Sequence, residues 1–158
     1  MSGSSDQERR FPVQGRLLGL DYGTKRVGIA VSTTEQNIAS PLENYTRQRE
    51  EQDGLHFSKL VKEYSIVGLV VGLPVHLSGE ESEKSREARE FGNWVATVTG
   101  LPVCFWDERF TSVMAEEHLL IAELSKKKRK NRLDKLASQI MLQSFLDAVD
   151  RELIPEEY

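Results

Sequence analysis

The stretch that decides the fold is LLGLDYGTKRVGIAV, residues 17–31. Two apolar runs flank a glycine-containing turn, and the side chains of the second run alternate with the period-two pattern of a strand. The stretch therefore predicts a β-hairpin. Asp21 ends its first strand, and two basic residues, Lys25 and Arg26, lie in its turn.

Beyond the hairpin, strands alternate with helices. A weaker third strand is predicted near residues 37–45, where Pro41 would restrict it to a sheet edge because proline donates no ladder hydrogen bond. Helical spacing of apolar residues across 57–64 and the continuous apolar run 66–71 then predict a helix followed by a buried strand.

The second half of the chain repeats this alternation. Ala88, Phe91, Val95 and Val98 predict the inner face of a second helix that ends at Gly100. The order β-β-β-α-β-α-β-α-α predicts an α/β fold, a five-stranded mixed sheet with helices on both faces. Its remaining elements are a strand at 102–106, a helix from Thr111 or Ser112 to about Leu124, a basic loop, and a last helix from Leu133 to about Glu152.

Composition restricts the class of protein. A chain of 158 residues with 39% hydrophobic and 29% charged residues predicts one globular domain at 15–152, between a flexible tail at 1–14 and a short tail at 153–158. A single cysteine, Cys104, excludes an internal disulfide and a cysteine-rich zinc site. No secretory leader and no apolar run of about 18 residues are visible, so we expect a soluble intracellular protein with no membrane partner.

Three acidic residues are predicted at the ends of elements. Asp21 and Glu108 follow the first and last strands, and Asp134 opens the last helix. In open α/β sheets the working crevice lies at the carboxyl ends of strands, so the first two would share one region if their strands were parallel neighbours. Carboxylates without histidine or cysteine nearby suit Mg²⁺ or Mn²⁺, which can activate water for attack on a phosphodiester.

Each of these acids also has a structural interpretation. Asp21 could be a turn former, and Glu108 could make an exposed ion pair with Arg109. Asp134 could be the third residue of a helix that Asn131 caps. Taken singly, these residues do not decide between a catalytic and a structural role.

The net charge of −4 conceals one strongly basic segment, KKKRKNR at 126–132. It is either a solvated loop or a clamp that holds phosphates with salt-sensitive affinity. Its position just before Asp134 favours the clamp, and Lys25 and Arg26 could bind phosphates from the other side. The candidate nucleic-acid-binding residues of the segment are Lys126, Lys127, Lys128, Arg129, Lys130 and Arg132.

Four motifs occur together in a fixed order. They are LLGLDYGTKRVGIAV at 17–31, VVGLP at 70–74, DERFT at 107–111 and LDKLA at 133–137. In this combination the chain resembles the YqgF family of bacterial proteins over almost its whole length. That family is similar to Holliday junction resolvases and shares the ribonuclease H-like fold, so the resemblance implies this fold for the five-stranded sheet.

The resemblance also implies an activity. The family is described as a nuclease that matures the 5′ end of pre-16S ribosomal RNA and as a Holliday junction resolvase, which implies a cytoplasmic, metal-dependent endonuclease. By motif match, Asp21, Glu108 and Asp134 form the acidic triad, and Arg109 is the arginine of the third motif. Junction resolvases carry an acid directly after the fourth strand, whereas this chain has GLP at 72–74 and carries the acid at Glu108.

Two other functions compete with the nuclease. DYGT after a strand also resembles the phosphate-binding hairpin of the actin and sugar-kinase superfamily, which implies a nucleotide-binding ATPase. That superfamily needs two such lobes, and this chain is long enough for one. A nucleic-acid-binding protein without catalysis would use the basic segment and treat the acids as structural. For the nuclease we expect structured ribosomal RNA precursor or branched DNA as partner, and either a monomer or, for two coordinated cuts, a symmetric homodimer.

Overall fold

The computed structural model of the chain describes residues 11–74, 82–108, 126–148 and 151, with side chains in the last helix from residue 136 onward. The helix expected over 111–124 lies outside the described residues. No helix in the described ranges is both long and apolar enough to cross a membrane. The strands are β1 (Arg16–Asp21), β2 (Arg26–Ser32), β3 (Ala39–Thr46), β4 (Ile66–Leu73) and β5 (Val103–Asp107), and the helices are α1 (Glu50–Tyr64), α2 (Glu83–Thr99) and α3 (Lys126–Asp147).

The strands form one mixed sheet in the order β3-β2-β1-β4-β5. The predicted hairpin is confirmed, since β1 pairs antiparallel with β2 and sets Asp21 opposite Gly28. Strands β1, β4 and β5 run parallel, so their carboxyl ends lie at one edge of the sheet. Strand β3 lies at the sheet edge, as Pro41 predicted, and the ladder shifts register next to that residue.

Helices cover both faces of the sheet, as the alternation of elements predicted. Helices α1 and α2 pack on one face through a core that includes Phe57, Phe91 and Val95. Helix α3 packs on the other face, where Leu142 is fully buried. A Cβ atom added to Gly19 would lie 2.9 Å from Cβ of Leu142, so the missing side chain lets α3 approach β1 closely.

The ends of α2 are fixed by its sequence. The hydroxyl of Ser82 accepts a hydrogen bond from the backbone N–H of Ser85 at 3.0 Å and caps the helix. At the other end, Gly100 has a φ of 73°, which confirms it as the residue that ends the helix. One expectation is wrong: Val98 is 40% exposed and does not belong to the inner face.

The basic segment forms part of a helix, and its prediction as a loop is wrong. Helix α3 begins at Lys126, so the segment and Asp134 share one helix, and Asn131 lies inside it rather than capping it. Lysine and arginine are good helix formers, and no glycine or proline interrupts residues 126–148. Apolar spacing, on which the prediction relied, is missing from this charged stretch. The helix ends at Asp147, before the predicted end near Glu152.

The packed part of the chain begins before residue 15. The ring of Phe11 packs edge-on against Phe145 with centroids 5.9 Å apart. The side-chain amide of Gln36 donates to the carbonyl oxygen of Pro12 at 3.2 Å. Residues 11–14 of the expected flexible tail therefore contact the domain, whereas residues 1–10 and 152–158 lie outside the described residues.

Candidate active site

Asp21 and Glu108 lie together at the edge where the parallel strands end. Asp21 is the last residue of β1, and Glu108 directly follows β5. From the sequence, the two acids would share one region if β1 and β5 were parallel neighbours. The two strands are parallel but are not neighbours, because β4 lies between them. The two carboxyl groups nevertheless reach across β4 and share a hydrogen bond.

Gly72, near the end of β4, makes this contact possible. A Cβ atom built on Gly72 would lie 2.5 Å from Oε1 and 2.9 Å from Cγ of Glu108. The carboxyl group of Glu108 thus occupies the space in which any other residue at position 72 would carry its side chain. Junction resolvases carry an acid directly after the fourth strand, whereas here the acid, Glu108, follows β5. Glycine at position 72 of β4 leaves the space through which its carboxyl group reaches Asp21.

The environment of Glu108 disfavours its charge. Burial, followed by the negative charge of Asp21 and the hydrogen bond to it, raises the pKa of Glu108 to about 9, with a smaller contribution from Asp107. The ammonium group of Lys84 acts in the opposite direction. Without a cation, the pair therefore holds a proton at neutral pH.

The donor set fits a divalent cation. Two carboxyl groups in contact offer hard oxygen ligands, and a dication would offset the repulsion that otherwise retains the proton. Among the described side chains, no group of three histidine, cysteine, aspartate or glutamate residues could hold a metal ion. Asp134 lies in α3, but its side chain is outside the description. Position 134 belongs to the same i, i+4 helical series as Ser138 and Leu142, which are fully buried.

The acid pair lies in an open cleft of about 540 Å³. The β1–β2 turn forms one wall, where Lys25 of the turn and Arg26, the first residue of β2, are exposed and line the cleft. Their binding of phosphates stays a prediction. Tyr22 fastens this turn to the core, since its ring packs against Phe91 with centroids 5.1 Å apart. The turn therefore presents its basic residues from a fixed base.

Two further polar residues of the cleft escaped the sequence argument. Asn44 of β3 lines the cleft and pairs in register with Gly28, the residue opposite Asp21. The sequence of a weakly predicted edge strand does not fix its register, so the position of Asn44 could not be predicted. Lys84 lines the cleft from the first turn of α2, where the sequence indicated only the start of a helix.

The other predicted binding residues cannot be placed around the cleft. Arg109 lies outside the described residues. The backbone of 126–132 is helical, but its side chains are not part of the description. The phosphate-binding roles of both remain predictions.

A mixed sheet covered on both faces, with acids over the ends of its parallel strands, defines a ribonuclease H-like α/β protein. The chain matches the family model described as "RuvX: Holliday junction resolvase" over residues 15–148. It belongs to this family, which is the family that the four sequence motifs indicated.

Relatives and a solved structure agree with this assignment. A protein of Rhodopirellula baltica named "Putative pre-16S rRNA nuclease" is 44% identical, covering 89% of this chain and 82% of its own length. A protein of the same name from Rhodobacter capsulatus is 41% identical over 92% of this chain and 91% of its own length. The T. thermophilus RuvC structure with a Holliday junction substrate superposes with a TM-score of 0.54 at 15% identity, covering 82% of this chain and 90% of that one. This last likeness supports the ribonuclease H-like fold.

Proposed function

We propose that the protein is a metal-dependent endonuclease that hydrolyses phosphodiester bonds in the 5′ region of pre-16S ribosomal RNA, in the cytoplasm. The observation that carries the proposal is the contact between Asp21 and Glu108 inside a cleft with a basic wall. Two carboxylates held together at a cost in electrostatic repulsion are typical of a cation site that works on phosphate oxygens. The names of the relatives supply the substrate.

The acidic residues would bind the metal ion, and the basic residues would bind the nucleic-acid strand. Asp21, Glu108 and Asp134 would hold Mg²⁺ or Mn²⁺, which when bound supplies an activated water and stabilises the leaving oxygen. Lys25 and Arg26 bind backbone phosphates, and Arg109 and the basic start of α3 extend this binding. Contacts to phosphates carry no base information, so recognition depends on the shape of the RNA.

A cleavage assay with purified protein tests the proposal. A pre-16S RNA fragment spanning the mature 5′ end is incubated with Mg²⁺, with Mn²⁺ and with a chelator. We expect cleavage near the mature end only when a divalent ion is present. Asp21→Asn removes one ligand charge at almost unchanged volume, so it should abolish cleavage while the melting temperature stays close to that of the wild type.

Resolution of four-way DNA junctions is the second candidate. The family description and the fold shared with RuvC favour it. Two coordinated cuts need two copies of the site, so this function predicts a symmetric dimer on the junction. The same assay with a four-way junction in place of the RNA distinguishes the two, since the faster substrate identifies the function. Salt-sensitive binding of both without any cut in either metal would instead indicate a binding protein.

A further inference from the structure

The catalytic cleft has a second basic wall, formed by Lys84. Lys84 is the second residue of α2, is exposed, and lines the cleft together with Asp21 and Glu108. The turn that carries Lys25 joins β1 to β2, whereas α2 begins beside the end of β4, on the other side of Asp21 in the sheet. Positive charge therefore flanks the acid pair from two sides.

The position of Lys84 is fixed by the start of its helix. The hydroxyl of Ser82 donates a hydrogen bond to the carbonyl oxygen of Pro74 at 3.0 Å and accepts one from the N–H of Ser85. Pro74 directly follows β4, so this one hydroxyl joins the start of α2 to the end of β4. The backbone at Lys84 is thereby held next to the edge that carries the acids.

Helix stability does not explain a lysine at this position. The amino end of a helix carries partial positive charge, which favours acidic residues there and opposes lysine. An exposed side chain also contributes little through burial. Its side chain instead lines the cleft that holds Asp21 and Glu108.

We propose that Lys84 binds a phosphate of the nucleic-acid strand from the β4 side of the cleft, opposite Lys25, and so determines which phosphodiester lies over Asp21 and Glu108. This inference rests on the proposed nuclease function. A lysine is suited to this contact because it is a compact charge on a flexible stem that can follow a phosphate without fixed geometry. A strand held from both sides has one position over the acid pair, which would focus cleavage on one bond.

Binding measured without cleavage tests the contact directly. In the Asp21→Asn protein, fluorescence anisotropy gives the dissociation constant for the labelled pre-16S fragment and for the four-way junction at several salt concentrations. We expect Lys84→Met to weaken binding roughly 3- to 10-fold. The salt slope, which is the slope of the logarithm of the binding constant against the logarithm of the salt concentration, should fall in magnitude by about 0.7–0.9, as expected for the loss of one phosphate contact. Lys84→Arg should restore the slope.

Arg86→Met is the matched control, because Arg86 is exposed on the same helix and does not line the cleft. An equal change of slope in Arg86→Met, or no change in Lys84→Met, would overturn the proposal. In the otherwise native protein, Lys84→Met should also spread cleavage over neighbouring bonds, and an unaltered product pattern counts against it. Absence of any cleavage by the wild type refutes the nuclease function but leaves the binding result to be judged separately.

Discussion

The floor and the rim of the cleft are built in different ways. The floor consists of Asp21 and Glu108, which strand ends hold in contact over a glycine. The rim consists of Lys25, Arg26 and Lys84, which are exposed and lie on a turn, at the start of β2 and on the first turn of a helix. Chemistry at a phosphorus centre tolerates little displacement, whereas attraction to a phosphate acts over several ångströms. We therefore expect small changes in the floor to outweigh the loss of whole charges on the rim.

Among substitutions that leave both acids in place, the largest effect should come from one methyl group at the floor. In Gly72→Ala the new Cβ would lie 2.5 Å from Oε1 of Glu108, so that carboxyl group must move away from Asp21. A displacement of about 1 Å can lower a rate about 100-fold. Single-turnover cleavage of the pre-16S fragment measures the effect. A rate within a factor of three of the wild type would show that the floor does not need this geometry.

Gly54→Ala provides the control for that substitution. Its Cβ would meet neighbours only at 3.5 Å and beyond, which is ordinary contact, and Gly54 lies within α1, away from the cleft. Alanine in a helix interior should stabilise the protein by about 0.5–1 kcal/mol and leave cleavage unchanged.

The second prediction concerns pH and metal. The pKa of Glu108 is about 9 in the folded, cation-free protein, above its ordinary value of 4.5. The folded state thus holds more protons between these values, and the free energy of unfolding should fall as pH rises from 5 to 9. The fall should be on the order of 1–2 kcal/mol, less than the full shift implies, because Glu108 is partly exposed. Urea denaturation in a chelator measures it.

Two variations of that experiment connect the pH dependence to the acid pair. Glu108→Gln has no proton to lose, so its free energy of unfolding should vary less with pH than that of the wild type. Mg²⁺ should stabilise the wild type most at alkaline pH, since the ion binds the ionised form and displaces the proton. Equal stabilisation of the Asp21→Asn protein would place the ion elsewhere.

The smallest effect should come from the rim. Lys25→Met removes one exposed charge, so binding of the pre-16S fragment should weaken only about 3- to 10-fold at moderate salt, with a matching reduction in salt slope. Anisotropy in the Asp21→Asn protein measures it. Loss of cleavage as severe as that of Gly72→Ala would contradict the division between floor and rim.

The sequence predicted the sheet well because the decisive patterns are local. A hairpin with Asp21 at its first strand end, an edge strand marked by Pro41, and helices alternating with strands can each be read from short windows. Helix α3 shows the limit, since its charged first half carries no apolar spacing and was predicted as a loop. In that segment only the high helix propensity of lysine and arginine indicated a helix.

The cleft could be predicted only in part. That strand ends would bring Asp21 and Glu108 together follows from a general rule for α/β sheets. The role of Gly72 depends on strand order, because only a sheet with β4 between β1 and β5 makes the middle residue an obstacle. The position of Asn44 in the cleft likewise depends on the register of β3, and that of Lys84 on the hydrogen bond that anchors the start of α2. Neither can be predicted from residue spacing in the sequence.

Cys104 gives the strand that leads to Glu108 a reporter of its own. The thiol is the only one in the chain, is 4% exposed, and lies in β5 opposite Val70 of β4. Cys104 is buried in the core cluster that includes Met141 and Phe145 of α3, so a thiol reagent can reach it only when this packing opens, because reaction requires an accessible thiolate. The labelling rate of the native protein therefore measures how often the packing between α3 and β5, the strand that leads to Glu108, opens, without any engineered probe.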